Sequence, residues 1–294
     1  MATKLEKRAA KHTRRAAAKA KKSTDPCIFC GRPGTSGEHL WPQWTKDLVP
    51  IDENVRYNEA SSIHLNKITG EVTHKPFVRR IKQDLAHLKI QGPCAICNNG
   101  WMNDIEQAVI PILTPMVLGK EIAVSVRDQQ VLATWVTLKV VIGEIPRAES
   151  AVVTPALRQW FRANRMPFYD SQIYVLHDAM GDPRRSFQHS SFSFTDNPES
   201  ISPPTVQYSW LQLGRVLFVF VMSPHFFPQF KFPRTFSHRA DRIFPPMRSA
   251  FQWPPPYSLE EAQNEEFINS FHQWLYCLGI DTNAIMQQLR GSRA

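Results

Sequence analysis

The distribution of apolar and polar positions divides the chain into stretches of different period. From Asn98, the run NNGWMNDIEQAVIP places Trp101, Ile105 and Ala108/Val109 on one face at helical spacing, and Pro111 is expected to interrupt or end that helix. The stretch beginning at Gln129, QQVLATWVTLKVVIG, is apolar enough for a buried helix or strand, and is expected to be a helix. Thr154 followed by Pro155 reads as an N-cap with proline at the first helical position, opening a helix through Asn164. Beyond it come strand-like runs at 172–177, 187–194, 206–213 and 215–222. Gly214 separates the last two as the turn of an antiparallel hairpin. The segment FPRTF…IFPPM…WPPPY is too dense in proline for regular structure to be expected. Ser258 with Glu261 forms a capping-box signature for a final helix, whose apolar face would hold Cys277 as a small hydrophobe.

Composition narrows the class. The 294 residues are 43% hydrophobic and 21% charged, which excludes a wholly disordered chain. No apolar run reaches the roughly 18 residues of a membrane span. The basic N-terminal segment has no apolar core, so neither a secretory signal nor a strong transit peptide is expected, and the expected location is cytoplasmic or nucleoid-associated. Residues 1–22 hold Lys4, Lys7, Arg8, Lys11, Arg14, Arg15, Lys19, Lys21 and Lys22 against the single acid Glu6, and so carry +8 of the net +9. Such an arm attracts polyanions, nucleic acid first; a purely solubilising tail is the plainer alternative.

Chemistry concentrates between residues 25 and 110. Four of the five cysteines form two Cys-x-x-Cys pairs, Cys27/Cys30 and Cys94/Cys97, with 63 residues between them. This pattern suits a tetrahedral structural zinc site, each pair giving two thiolates from a tight turn; a redox pair is the competing reading. Gly31, directly after the first pair, supplies the permissive backbone such a turn needs. Shortly after Cys30 comes GEHLWPQW, with Glu38, His39 and Pro42, and the second pair runs directly into Asn98 and Asn99.

Taken together, CIFC…EHLWP…CAICNNGW resembles the HNH endonuclease family in its zinc-knuckle form, over about residues 25–110. The resemblance implies a ββα-metal unit in which a short hairpin and a helix grip one divalent ion, with zinc as a staple beside it. It implies a DNA-cleaving phosphodiesterase leaving a 5′-phosphate and a 3′-hydroxyl. His39 would be the general base, since an imidazole is substantially neutral near pH 7. Glu38 and Asn98, hard oxygen donors, would hold Mg²⁺ or Mn²⁺, with Asn99 as the alternate ligand. Asn98 would serve equally as a helix cap, and His39 could instead complete the zinc site or fill the core. Trp41, Trp44 and Trp101 are expected in the core.

The central asparagine that steadies the histidine loop in this family has no counterpart in DLAHLKIQGPC. Asn54, Asn58 and Asn66 are candidate substitutes, and His64, His74 and His87 are candidate extra ligands. His177, His189, His225, His238 and His272 are scattered and read as structural or exposed.

The expected architecture is therefore α+β: a basic arm over 1–24, a zinc-stapled HNH-like module over 25–118, and an α+β domain with antiparallel strands over 119–294. The main alternative is a zinc-organised nucleic-acid-binding protein that does not cleave. A protein-interaction module built on the aromatic, proline-rich C-terminal half is a further one.

Overall fold

The computed structural model describes residues 25–49, 57–66, 72–80, 87–178, 184–195, 204–223, 240–246 and 249–256. The basic arm, Asn54, the capping box at Ser258, Cys277, His225, His238 and His272 lie outside the described residues. The architecture is mixed helix and strand, and mostly antiparallel.

Seven strands make one sheet. Its members are β2 (Tyr57–Asn66), β3 (Val72–Arg80), β6 (Ser171–His177), β7 (Arg184–Thr195), β8 (Val206–Gly214), β9 (Val216–Met222) and β10 (Ala240–Phe244), in the order β10-β6-β9-β8-β7-β2-β3. All neighbours are antiparallel except β2 and β7, which run parallel. The hairpin expected at Gly214 is present, and that residue sits at φ +60, a conformation glycine reaches without a Cβ penalty. β9 is buried at every position, as the unbroken apolar run VLFVFVM requires in a strand covered on both faces. Two further two-stranded sheets pair β1 (Gly37–His39) with β4 (Lys89–Gln91), and β5 (Ile122–Ser125) with β11 (Ala250–Trp253).

The stretch from Gln129 is a helix, as expected. It belongs to α2 (Val126–Glu144), opened by a reciprocal capping box in which Ser125 Oγ accepts from Asp128 N–H while the Asp128 carboxylate accepts from Ser125 N–H. From Leu132 to Glu144 every residue of this helix is buried, which is why it shows no amphipathic stripe. It approaches the sheet so closely that a Cβ on Gly143 would lie 2.3 Å from the Phe187 ring of β7. Trp135 of α2 meets Phe218 of β9 and Trp41 at centroid distances of 6.1 and 6.3 Å.

Proline was expected to break the helix after the second cysteine pair. Instead α1 (Asn103–Val117) runs through both Pro111 and Pro115. The reason is tertiary: Ile105, Val109, Ile112, Leu113 and Met116 are buried along one face, whereas Gln107, whose carbonyl loses its partner at Pro111, is exposed to water. The proline-rich C-terminal segment likewise contains regular structure, β10 and β11. Pro245, Pro246, Pro254 and Pro255 fall just outside those strands, so no ladder N–H is lost. The predicted helix at Thr154 is α3 (Pro155–Asn164), with Thr154 Oγ1 accepting from Leu157 N–H at 3.2 Å.

The segment between the cysteine pairs does not stand apart. It contributes β2 and β3 to the large sheet, which thus runs across residue 118. Buried Arg185 of β7 reaches back to the 3-10 turn Gln43–Asp47, donating from Nη2 to Thr45 O at 2.6 Å and Val49 O at 2.8 Å. One apolar cluster extends from Cys27 and Phe29 through α1 and α2 to Phe218 and Phe220 of the sheet.

Candidate metal centre and the Glu38–His39 hairpin

The first cysteine pair lies in a tight loop. Cys27 N–H donates to Arg32 O at 2.8 Å, Gly31 N–H donates to Cys27 O at 2.9 Å, and Gly31 takes φ +70. The second pair opens a single helical turn, Ala95–Cys97, in which Cys97 N–H points at Cys94 Sγ at 3.5 Å. Cys94 N–H points across to Cys27 Sγ at 3.2 Å, joining the loops. All four sulfurs lie within 4.8 Å of one another, and Cys30 Sγ is 3.6 Å from Cys94 Sγ. Thiolates about 2.3 Å from a tetrahedral zinc would be about 3.8 Å apart, so the cluster fits such an ion with little adjustment. None of the four forms a disulfide. Among the described residues this is the one group of three or more His, Cys, Asp or Glu able to share an ion.

Burial pushes the Cys97 thiol up to about 12 and raises Cys30. Burial also opposes ionisation of Cys94, but the Cys97 N–H and the neighbouring thiols outweigh it and bring Cys94 down to about 7. Edge-on stacking of Phe29 on Trp101 at 5.0 Å, and of Trp101 on Phe161 at 5.8 Å, wedges the cluster against α1 and α3.

Immediately after the first loop, β1 pairs antiparallel with β4, aligning Gly37 with Gln91, Glu38 with Ile90 and His39 with Lys89. Alternation sends neighbouring side chains to opposite faces. Glu38 and Ile90 are buried, while His39 is half-buried and Lys89 exposed. Ser36, just before the strand, ties the hairpin to the second cysteine loop. Its N–H and Oγ both donate to Pro93 O, at 2.6 and 3.1 Å, and its Oγ accepts from Asn98 Nδ2 at 3.4 Å. Asn98 is thus held beside the start of β1, in a distorted turn (Asn98–Met102) that leads into α1.

Glu38 meets a group the sequence reading missed. Lys139, fully buried in the middle of α2, donates from Nζ to Glu38 Oε1 at 3.1 Å and to His39 O at 3.3 Å, and pairs with Glu106 Oε1 of α1. Glu106 also accepts from the indoles of Trp44 and Trp135, each at 3.2 Å. Burial alone would lower the lysine's pKa, but Glu106 and Glu38 more than compensate and hold it above its ordinary value. Of the two expected divalent-ion ligands, Glu38 shares the Lys139 ammonium with Glu106, and Asn98 donates to Ser36 through its amide nitrogen rather than through the oxygen a cation would use. The signal for Lys139 was present as one charge inside VTLKVVIG, but helical pattern alone could not tell what would compensate it.

His39 has a different environment. Burial, and then the neighbouring Lys89, Lys46, Lys139 and His87, lower its pKa to about 4, so it is neutral at physiological pH. The amide Nε2 of Gln43 donates to its Nε2, which leaves that ring nitrogen unprotonated and facing an exposed side chain.

The other candidates are dispersed. Asn58 and Asn66 lie in β2, and His74 lies in β3. His64 bonds Ser193 Oγ. His177 meets the Trp253 ring edge-on, and His189 is buried between Ser209 Oγ at 3.2 Å and Ser150 O at 3.0 Å. Trp41 and Trp101 are buried and Trp44 half-buried, as expected of core residues. No helix of the described residues is long and apolar enough to cross a membrane. No family model, no curated protein and no solved structure matches the chain.

Proposed function

We propose that the chain is a metal-dependent, HNH-type endonuclease that hydrolyses phosphodiester bonds in DNA, with zinc on Cys27, Cys30, Cys94 and Cys97. One juxtaposition carries this reading: a strand bearing Glu38 and His39 pairs with β4, and the chain then enters the second cysteine loop, the turn beginning at Asn98 and α1. The four-sulfur cluster staples these parts together from segments far apart in sequence.

The step best supported by the chain's own residues is proton abstraction. His39 is neutral, and its Nε2 lone pair points at exposed Gln43, which a water can replace. A divalent ion would supply charge stabilisation of the scissile phosphate and of the leaving oxygen. Glu38 and Asn98 remain its proposed holders, but the Lys139 ammonium already neutralises Glu38.

That pairing favours the second reading, a zinc-organised nucleic-acid-binding protein without cleavage. Supercoiled plasmid incubated with the full chain and Mg²⁺ or Mn²⁺, against EDTA and against His39→Ala, separates the two. Metal-dependent nicking lost in the variant supports the nuclease; binding without nicking at any ion concentration supports the second reading and removes the first.

A further inference from the structure

The outer face of the β1–β4 hairpin is a cationic surface. His39 stands directly opposite Lys89 across the ladder, and directly opposed residues share a face. The hairpin is extended one step by Leu40 N–H donating to Leu88 O at 3.1 Å, which brings exposed His87 alongside. Gly37 leaves room for the Lys89 stem: a Cβ there would lie 3.3 Å from both Lys89 Cβ and Lys89 Cδ. A second lysine arrives from the 3-10 turn. Side chains three apart eclipse in that helix type, so Lys46 lies on the same side as Gln43, which touches the His39 ring.

Among the described residues, the nearest acids are turned elsewhere. Glu38 is on the opposite face of β1, buried against Lys139. Asp47 is next to Lys46 in the turn, one step round the helix from the Gln43–Lys46 side. A face that gathers lysines on one side of the hairpin is complementary to an anion.

We propose that Lys46 and Lys89, flanking His39 and joined by His87, form a cradle for a phosphodiester of the DNA backbone. It rests on the nuclease reading for the choice of ligand, but it stands or falls as a binding site and needs no cleavage. It also locates phosphate contacts among the described residues, separate in sequence from the cations of residues 1–22.

The test follows the His39 imidazole resonances of the full-length, zinc-loaded protein by NMR in EDTA too dilute to strip the zinc. The probes are a short oligothymidylate in one arm and inorganic phosphate in the other. The imidazole reports on this site alone, so DNA on the basic arm does not obscure it. The oligonucleotide should shift His39 saturably. Lys46→Gln and Lys89→Gln should each weaken that response about two- to fivefold, and the double variant about tenfold. Lys120→Gln, an exposed cation after α1, should leave it unchanged. Both cradle lysines reach solvent, so these variants keep the fold, which their unchanged remaining spectra verify. Absence of any shift in the wild type, an undiminished shift in the double variant, or a response to inorganic phosphate but not to the oligonucleotide overturns the proposal. Saturable binding together with failed plasmid nicking would remove the nuclease reading and leave the cradle standing.

Discussion

Replacing Lys139 with methionine should be among the most damaging single changes to this protein. The lysine side chain is completely buried, and the Glu38 and Glu106 side chains are each only 12% exposed. Methionine fills most of the volume but leaves two desolvated carboxylates facing one another. Breaking a buried pair in this way costs about 3–5 kcal/mol. The Trp44 and Trp135 indoles still serve Glu106, which holds the expected loss toward the lower end of that range. The triple variant Lys139→Met, Glu38→Gln, Glu106→Gln removes the charges together and should return to within about 2 kcal/mol of the wild type. Urea unfolding of the zinc-loaded protein, followed by tryptophan fluorescence, measures both. Because the folded-state pKa of Lys139 is raised, its contribution is complete below the ordinary lysine value and is lost only as pH climbs through the raised one. The wild type should therefore show an alkaline decline that the triple variant lacks. A single variant within about 1 kcal/mol of the wild type, or a triple variant no more stable than the single, would refute the triad as a stabilising element.

Purified protein should contain one zinc per chain by elemental analysis, and Cys94→Ser should destabilise the fold rather than merely slow a reaction, because the ion closes a loop of more than sixty residues. His39→Ala should reduce nicking by roughly two to four orders of magnitude with little change in DNA affinity. The neutral ring is the active form and its pKa is lowered to about 4, so the acid limb of the wild-type rate should fall near that pH; a limb near the ordinary histidine value would show that the described environment of His39 is wrong. Deleting residues 1–22 should flatten the dependence of log K on log salt by roughly four units if about half of the nine cations meet phosphates, and an unchanged slope would return the arm to a solubilising role.

Much of this arrangement was readable along the chain because it depends on local signals. Cysteine spacing identified the four cysteines that the fold brings together, since a Cys-x-x-Cys turn presents both sulfurs on one side whatever surrounds it. Caps and strand-like runs found α3 and the Gly214 hairpin from interactions spanning a few residues, while the apolar run of α2 left helix and strand both open and only leaned to the helix. The helix through Pro111, the strands among the C-terminal prolines, and the entry of β2 and β3 into the large sheet needed partners far away, and local propensity contains no record of them. The same holds at the candidate site. Glu38 and His39 are adjacent residues, and strand alternation alone sends them to opposite faces. Only the packing of α2 beneath the hairpin brought a buried ammonium to Glu38 and left His39 among exposed cations. The electrostatic character of the pair depends on what lies across space, because Coulomb interactions and desolvation act between neighbours in the fold, not between neighbours in the chain.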